Sequence, residues 1–544
     1  MPVTTALYGS RPEKIKALLD DIEQSFELDE EALKTITGQF LADFNLGLSE
    51  YGQAMAMIPT FVTGVPNGTE TGTFLALDLG GTNLRVCQVD LFGDQTFNLK
   101  QQKYKVSEQL KTGEATVLFD YLADSVDAFL TSSAGSPTNP HTPGELGQDP
   151  PALPLGLTFS FPVEQTALDQ GYLLTWTKGF AAKNAVGKDV VKLLQDAFDR
   201  KHLHVKCVAL VNDTVGALLS RAYTSGGCIL GAIFGTGTNG AYVEQVANIT
   251  KLGNHPIVAK GGEMIVNTEW GGFNNSRTAL PTTPFDNKLD RESINPHYQA
   301  FEKFISGMYL GEITRNILLS LIDAAPIPIL FKGKASDQLN KHYGLDTEML
   351  SLIETAWMSE DAPADTAAAH APLVPSDAAA PVAHVEKIDD SLLLDFSKPL
   401  VAAALTPLTL HRLQRIRTVL VSQLGYAAED VTLRDAAVVR WACSLVVRRA
   451  ARLSSCAVAT VAHQMGFVAG LGSDAKPVGD TDVKIGVDGS LIQHYPRFEA
   501  RMRESLRILV GANVEQRIEI GLAKDGSGVG AALSALQATK QGAL

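Results

Sequence analysis

The sequence predicts an α/β protein of two lobes, and three observations carry that expectation. At 544 residues the chain is too long for one compact core. Strand-like apolar runs alternate with helix-like runs, the pattern of α/β architecture. One unit also occurs twice, as "LALDLGGTNLRV" at 75–86 and "GAIFGTGTNGAYV" at 231–243. In both copies an apolar run enters a glycine turn containing Thr and Asn and leaves as a second apolar run. Two related units imply two lobes facing each other across a cleft, where small ligands commonly sit.

The elements follow in chain order. "SRPEKIKALLDDIEQSF" opens with a capping box, Ser10 and Glu13, has Pro12 in its first turn, and spaces Ile15, Leu18, Leu19, Ile22 and Phe26 as one helical face. It reads as a folded helix and lacks the basic segment and apolar core of a secretory signal. "TFLALDLGG" and "TNLRVCQVDLFG" are consecutive strands joined by a glycine turn, and "LPLGLTFSFP" and "VKCVALVND" are short buried strands. Residues 435–466 form a long helix packed on most sides, with its arginines near breaks. "QRIEIGLAKDGSGVGAALSALQAT" is strand, Gly/Ser turn, then helix. Two stretches rich in Pro, Ala and Ser, 131–154 and 358–386, read as flexible surface insertions without chemistry.

Composition narrows the function. Hydrophobic residues make up 45% and charged residues 19% of the chain, as in an ordinary soluble protein, and no apolar run is long enough for a membrane span. The five cysteines are scattered without a CxxC pair, which argues against a disulfide framework or a zinc site and favours the cytosol. A net charge of −14 without a dense Lys/Arg cluster excludes the footprint of a nucleic-acid binder. An acidic protein that holds a polyanion needs local donors, and backbone amides at turns can supply them.

Both glycine turns are suited to that task. Glycine lets the backbone approach a ligand, and Thr hydroxyls add donors, at Gly80, Gly81, Thr82 and Asn83 and again at Gly235, Thr236, Gly237, Thr238 and Asn239. Neither turn matches the Walker A or the GxGxxG spacing. Asn212 and Asp213 follow an apolar strand and precede a helix, so Asp213 is either a helix-capping carboxylate or a general base at the carboxyl end of a strand. Ser160, Thr177, Lys178, Asn267, Glu269 and Glu302 supply carboxylates, amides and hydroxyls of the kind that sugar recognition needs.

The ordered motifs "MIPTFVTGVPNGTETGTFLALDLGGTNLRV", "LTFSFPVEQ", "WTKGF", "LVNDTVG", "GTGTNGAY", "NTEWGGF", "FEKFISGMYLGEI", "VDGSL" and "KDGSGVGAA" cover nearly the whole chain apart from the two insertions. In them the chain resembles the eukaryotic hexokinases, most of all the fungal hexokinase and glucokinase branch. The resemblance implies the actin-like ATPase (ribonuclease H-like) fold, a duplicated two-lobe α/β architecture with a hinged cleft. It implies an N-terminal helical segment at 1–74 packed on the large lobe, a small lobe at 75–223 and a large lobe at 224–544 whose C-terminal helix returns to the small lobe. Asp78, Gly80, Gly81, Thr82, Asn83 and Arg85 would form the first phosphate loop, and Gly235, Thr236, Gly237 and Thr238 the second. Ser160, Thr177, Lys178, Asn212, Asp213, Asn239, Asn267, Glu269 and Glu302 would hold the sugar, with Asp213 as the base and Lys178 and Arg85 assisting. Ser454, Asp488, Gly489, Ser490, Gly526, Ser527 and Gly528 would lie at the adenosine end, and Asp78 would touch Mg²⁺ through water.

The implied reaction is transfer of the ATP γ-phosphoryl group to the 6-hydroxyl of glucose, fructose or mannose, with ATP and Mg²⁺ as cofactors. A glucose-specific glucokinase and a catalytically weak sugar sensor are the alternatives. A chaperone or filament ATPase would keep the phosphate loops without the sugar set. The expected partners are glucose and related hexoses, with no nucleic acid and no membrane span, and the expected state is a monomer or homodimer of one two-lobe unit.

Overall fold

Two sheets are built on one strand plan. The computed structural model describes residues 11–80, 83–132, 152–176, 179–358, 391–479 and 482–542. In chain order the principal strands are β1 (Ile58–Pro59), β2 (Thr71–Leu79), β3 (Asn83–Phe92), β4 (Phe97–Lys105), β5 (Leu153–Phe159), β6 (Val205–Val211), β7 (Leu230–Phe234), β8 (Thr238–Gln245), β9 (Glu263–Asn267), β10 (Val483–Asp488) and β11 (Ile518–Leu522). The first sheet has the order β4-β3-β2-β5-β6 and the second β1-β9-β8-β7-β10-β11. In each, an antiparallel meander of three strands is followed by two strands added in parallel beside the first one. Within these two sheets, among the described residues, the two-residue edge strand β1 is the one addition to this duplication.

The repeated glycine turns occupy equivalent places. One joins β2 to β3, where Leu79 pairs with Leu84, and the other joins β7 to β8, where Phe234 pairs with Thr238.

Helices cover the sheets: α1 (Arg11–Phe26), α2 (Glu30–Ser49), α3 (Ala115–Ser132), α4 (Val190–Arg200), α5 (Asp213–Ser225), α6 (Gly307–Ile322), α7 (Leu433–Gln464) and α8 (Gly526–Lys540). The outer face of the first sheet buries Leu75, Leu77, Leu84 and Val86 against Leu118 and Leu122 of α3 and Leu194 and Phe198 of α4. Its inner face carries smaller groups, Ala76, Cys87 and Ala209, which share one core with α5, α8 and the second sheet. The reason is close packing of α8: a Cβ on Gly156 of β5 would lie 1.9 Å from the Ala531 carbonyl oxygen, and Thr158 Oγ1 donates to the Ser527 carbonyl at 2.8 Å.

Helices α5 and α8 cross at their glycines. A Cβ on Gly530 would fall 2.0 Å from Gly216 Cα, and one on Gly216 would fall 2.4 Å from the Gly526 carbonyl oxygen. Helix α5 starts on an Asn212 cap, whose Oδ1 accepts from the Thr214 N–H, and stops at Gly226 with φ 73°.

The structure revises several readings of the sequence. Residues 433–464 form one unbroken helix, so the arginines of α7 mark no breaks. They are accommodated by partners instead. Buried Arg449 makes a bidentate pair with Asp286 at 2.7 and 2.6 Å, Arg440 lies 4.2 Å from the Trp357 ring centroid, and Arg448 and Arg452 bind Glu27 of the α1–α2 corner. The insertion boundaries were also too wide: Thr131 and Ser132 end α3, Leu153 and Pro154 begin β5, and Met358 ends a helix at Thr347–Met358. The remainder of both insertions lies outside the described residues, as does Ser10 of the N-terminal capping box. In α1, Ile15, Leu19, Ile22 and Phe26 are buried while Leu18 faces solvent. All five cysteines are buried free thiols.

Because the α5–α8 crossing leaves no room for a methyl group, Gly530→Ala is expected to cost about 1–3 kcal/mol through overpacking. Thermal unfolding of the variant beside Gly38→Ala in α2, where a Cβ meets nothing within 4 Å and the backbone is helical, checks this; equal melting temperatures would refute it.

Candidate functional site

The site lies where the carboxyl ends of parallel strands from both sheets meet the two glycine turns. Strand β5 ends into Ser160, and its parallel neighbour β6 ends into Asn212 and Asp213. Asn212 uses Oδ1 to cap α5, accepting from both the N–H and the hydroxyl of Thr214 at 3.0 and 2.8 Å. Asp213 is the first residue of that helix, where the aligned peptide dipoles favour negative charge. Thr177 and Lys178, like Gly81 and Thr82, lie outside the described residues. Next to Thr177 and Lys178, Trp176 packs 5.0 Å from the Phe161 centroid and 5.4 Å from that of Phe180.

In the second lobe a hydrogen-bonded triangle forms behind the turn. Asn239 Nδ2 donates to Asn267 Oδ1 at 2.8 Å and to Glu269 Oε1 at 3.3 Å, and Asn267 Nδ2 donates to the same Glu269 oxygen at 2.8 Å. Glu269 has φ 53° and ψ 43°, a left-handed conformation that costs a residue with a Cβ about 1–3 kcal/mol. Such strain at a carboxylate already oriented by two amides is typical of ligand-gripping positions. Glu302 accepts from the Thr238 N–H at 3.0 Å, and its Oε2 lies 2.8 Å from where a Cβ on Gly237 would stand. A side chain at 237 would therefore have to displace the Glu302 carboxylate.

The second turn is braced on all sides. The Gly235 N–H donates to the Gly237 carbonyl at 3.0 Å, while the first two amides of α6, Gly307 and Met308, donate to the carbonyls of Gly235 and Thr236 at 2.7 and 3.1 Å. The Trp270 indole donates to Thr238 Oγ1 at 3.0 Å. Gly489, with φ 113°, packs so closely that a Cβ there would meet the Phe234 carbonyl at 2.5 Å. Asp488 beside it accepts from the Gly489 N–H and from Gln493, and burial pushes its carboxyl upward against the opposing pull of Arg85. Arg85 comes from the first sheet and Asp488 from the second, so the two turns lie within electrostatic reach of each other.

At the first turn, the Gly80 N–H donates to the Asn83 carbonyl at 3.0 Å. Asp78 is buried at the end of β2, where its Oδ2 accepts from Ser527 Oγ at 2.8 Å and stands 3.7 Å from Arg85. This donor set suits a phosphate chain with Mg²⁺. Turn amides and an arginine meet phosphate oxygens, close glycine contacts leave space for them, and a carboxylate is the hard oxygen ligand that a hydrated Mg²⁺ accepts.

Three features were missed or misplaced by sequence reading. Ser454, expected at the adenosine end, is fully buried within α7 and back-bonds to the Ala450 carbonyl at 2.9 Å, so its hydroxyl faces the helix and not an open site. Gln299 was not singled out, yet its amide oxygen lies 2.3 Å from where a Cβ on Gly271 would be, with Glu302 Cβ next to the same point. Beneath Glu302, buried Lys303 donates to Asp290 at 2.8 Å and to the Asn295 carbonyl at 2.7 Å, and Arg277 also pairs with Asp290. No local pattern announces that cluster, since its members meet only through the tertiary fold.

Two adjoining family models described as hexokinase match residues 18–223 and 229–537. The chain belongs to the hexokinase family. Among hexokinase relatives, the Aspergillus niger glucokinase is 39% identical over 96% of this chain and 98% of its own. Saccharomyces cerevisiae glucokinase-1 is 36% identical over 96% and 97%, and Schizosaccharomyces pombe hexokinase-2 is 35% identical over 97% of each. Among solved structures, a Schistosoma mansoni hexokinase complexed with glucose matches with a TM-score of 0.73 at 31% identity, covering 97% of this chain and 100% of that one. The two-lobe α/β fold and the phosphotransferase class of the hexokinases thus apply to this chain. Among the described residues, no helix is long and apolar enough to cross a membrane.

Burial alone would raise the Asp290 carboxyl, but Lys303, the His297 N–H and Arg277 outweigh it and hold it below the ordinary value. A carboxyl depressed on folding stabilises the protein above its unfolded pKa of about 3.9, and that contribution is lost as pH falls through the lower folded value. Asp290→Asn is expected to flatten the acid limb of a stability-against-pH curve. It should also cost about 3–5 kcal/mol at pH 7, because Lys303 is left buried without its partner. Chemical unfolding from pH 3 to 7 measures both; an unchanged acid limb would contradict the assignment.

Proposed function

We propose that this chain phosphorylates glucose at the 6-hydroxyl with ATP and Mg²⁺, and also accepts fructose and mannose. The observation that carries the reading is the placement of Asp213 at the end of β6. It stands at a helix N-terminus and next to Asn212, in a protein whose second lobe offers Asn239, Asn267, Glu269 and Glu302 as a braced polar set.

In this account the sugar ring is held by Glu269, Glu302, Asn239, Asn267, Asn212 and Ser160, and the family resemblance adds Thr177 and Lys178. Gln299 joins this set beside Glu302. Asp213 accepts the proton of the 6-hydroxyl as that oxygen attacks. Magnesium ATP supplies the phosphoryl group and neutralises part of its charge. The turn at 80–83 with Arg85 and the turn at 235–238 orient the phosphate chain, and Asp78 meets the hydrated metal. Asp488, Gly489, Ser490, Gly526 and Gly528 stand beside the nucleotide, whereas Ser454 does not reach it. Closure of the cleft on bound sugar would keep water from competing with the 6-hydroxyl. The boundaries at 75 and 224 divide the chain into the small and large lobes of this machine, with 1–74 packed on the large one.

A glucose-selective enzyme is the second reading. It is favoured by identities of 39% and 36% to two glucokinases against 32–35% to fungal hexokinases.

Coupled ADP release with glucose, fructose and mannose tests both readings. Asp213→Ala is expected to lower kcat by about 10²–10⁴-fold, the usual worth of a positioned general base, while glucose binding by calorimetry is retained. Glucose binding without ADP release by the wild type would instead identify a sugar sensor, and turnover of glucose alone would select the glucokinase.

A further inference from the structure

The hydroxyl of Ser527 points at the first lobe's phosphate turn, although the residue belongs to the C-terminal helix 449 positions away from Asp78. We propose that Ser527 is a positioning residue, which orients the Asp78 carboxylate toward the metal-bearing phosphate chain and does not itself bind the nucleotide. This rests on the kinase reading above.

Three observations support it. First, the bond is short and directional: Ser527 Oγ donates to Asp78 Oδ2 at 2.8 Å, whereas Arg85 stands at 3.7 Å, beyond hydrogen-bonding distance. Second, the serine cannot drift. Its carbonyl accepts from fully buried Thr158, the Gly526 carbonyl lies against Gly216, and a Cβ on Gly528 would meet Cys87 Sγ at 3.0 Å.

Third, the donor is neutral. Elsewhere in the molecule a buried aspartate is matched by cationic donors, as Asp286 is by Arg449 and Asp290 by Lys303 and Arg277. Asp78 receives a hydroxyl that fixes its direction, and its ion pair with Arg85 is the looser contact at 3.7 Å. Asp525 adds negative charge in the same region, since it raises both the Cys87 thiol and the Asp488 carboxyl. A carboxylate directed in this way, among like charges, is suited to a hydrated divalent cation.

Outer donors of this kind typically change metal affinity by about 10–100-fold. The experiment is calorimetric binding of ADP to the full chain across a Mg²⁺ titration, with glucose binding measured on each variant. Ser527→Ala is expected to raise the Mg²⁺ needed for half-maximal ADP binding by about tenfold, with metal-free ADP affinity and glucose affinity within twofold of wild type. Ser527→Thr, which keeps the hydroxyl, should restore most of the Mg²⁺ dependence. In the Asp78→Asn background, adding Ser527→Ala should change it no further.

An unchanged Mg²⁺ dependence in Ser527→Ala with normal glucose binding overturns the proposal. So does an equal loss of ADP affinity with and without metal, which would make Ser527 a direct nucleotide contact. Should Ser527→Ala lose glucose binding through misfolding, the Thr variant decides: wild-type Mg²⁺ dependence supports the proposal and a tenfold shift overturns it. A wild-type protein that binds neither glucose nor ADP would bring down the kinase reading itself, an outcome distinct from all of these.

Discussion

The close crossing of α5 and α8 is the constraint on which the rest of the site depends. Gly216, Gly526 and Gly530 let two backbones approach to distances that no side chain permits. Each helix also delivers a polar group from its first turn: Asp213 opens α5, and Ser527 in α8 reaches Asp78. A bulkier residue at the crossing would push the helices apart and move both groups from the cleft together. The placement of Asp213 and Ser527 and the packing of the two helices are thus one problem in this region, solved by omitting Cβ atoms.

Duplication supplies the second part of the design. Each sheet ends its first strand in a glycine hairpin and adds two parallel strands beside it, so each lobe presents a turn and strand ends toward the cleft. The copies have diverged in how they brace the turn. In the second lobe α6, Trp270 and Glu302 hold it through hydrogen bonds, and Glu269 carries backbone strain next to it. In the first lobe the described support comes from Asp78, Arg85 and the C-terminal helix. The two turns are therefore equivalent in topology and different in support.

Local signals were legible in the sequence wherever a turn or a period dictates structure. Both glycine hairpins, the strands around them and the final strand-turn-helix could be read because each depends on a few neighbouring residues, whereas the cap of α5 falls on Asn212 and not on Asp213, the carboxylate singled out for it. Motif order carried the family, and the two family models confirm it. What could not be read depends on partners distant in sequence. The arginines of α7 looked like interruptions, yet Asp286, Trp357 and Glu27 absorb their charge. Ser454 looked available for a ligand because nothing local reveals that its hydroxyl is spent on Ala450. Gln299 and the Asp290 cluster carry no local signature, and only the fold brings them beneath and beside Glu302.

The most direct test of the account is a crystal structure of the full chain with glucose and a non-hydrolysable ATP analogue plus Mg²⁺. The account predicts the sugar's 6-hydroxyl within hydrogen-bonding distance of the Asp213 carboxylate, and the phosphate chain lying between the 80–83 and 235–238 turns. A sugar bound away from Asp213, or phosphates contacting neither turn, would contradict it.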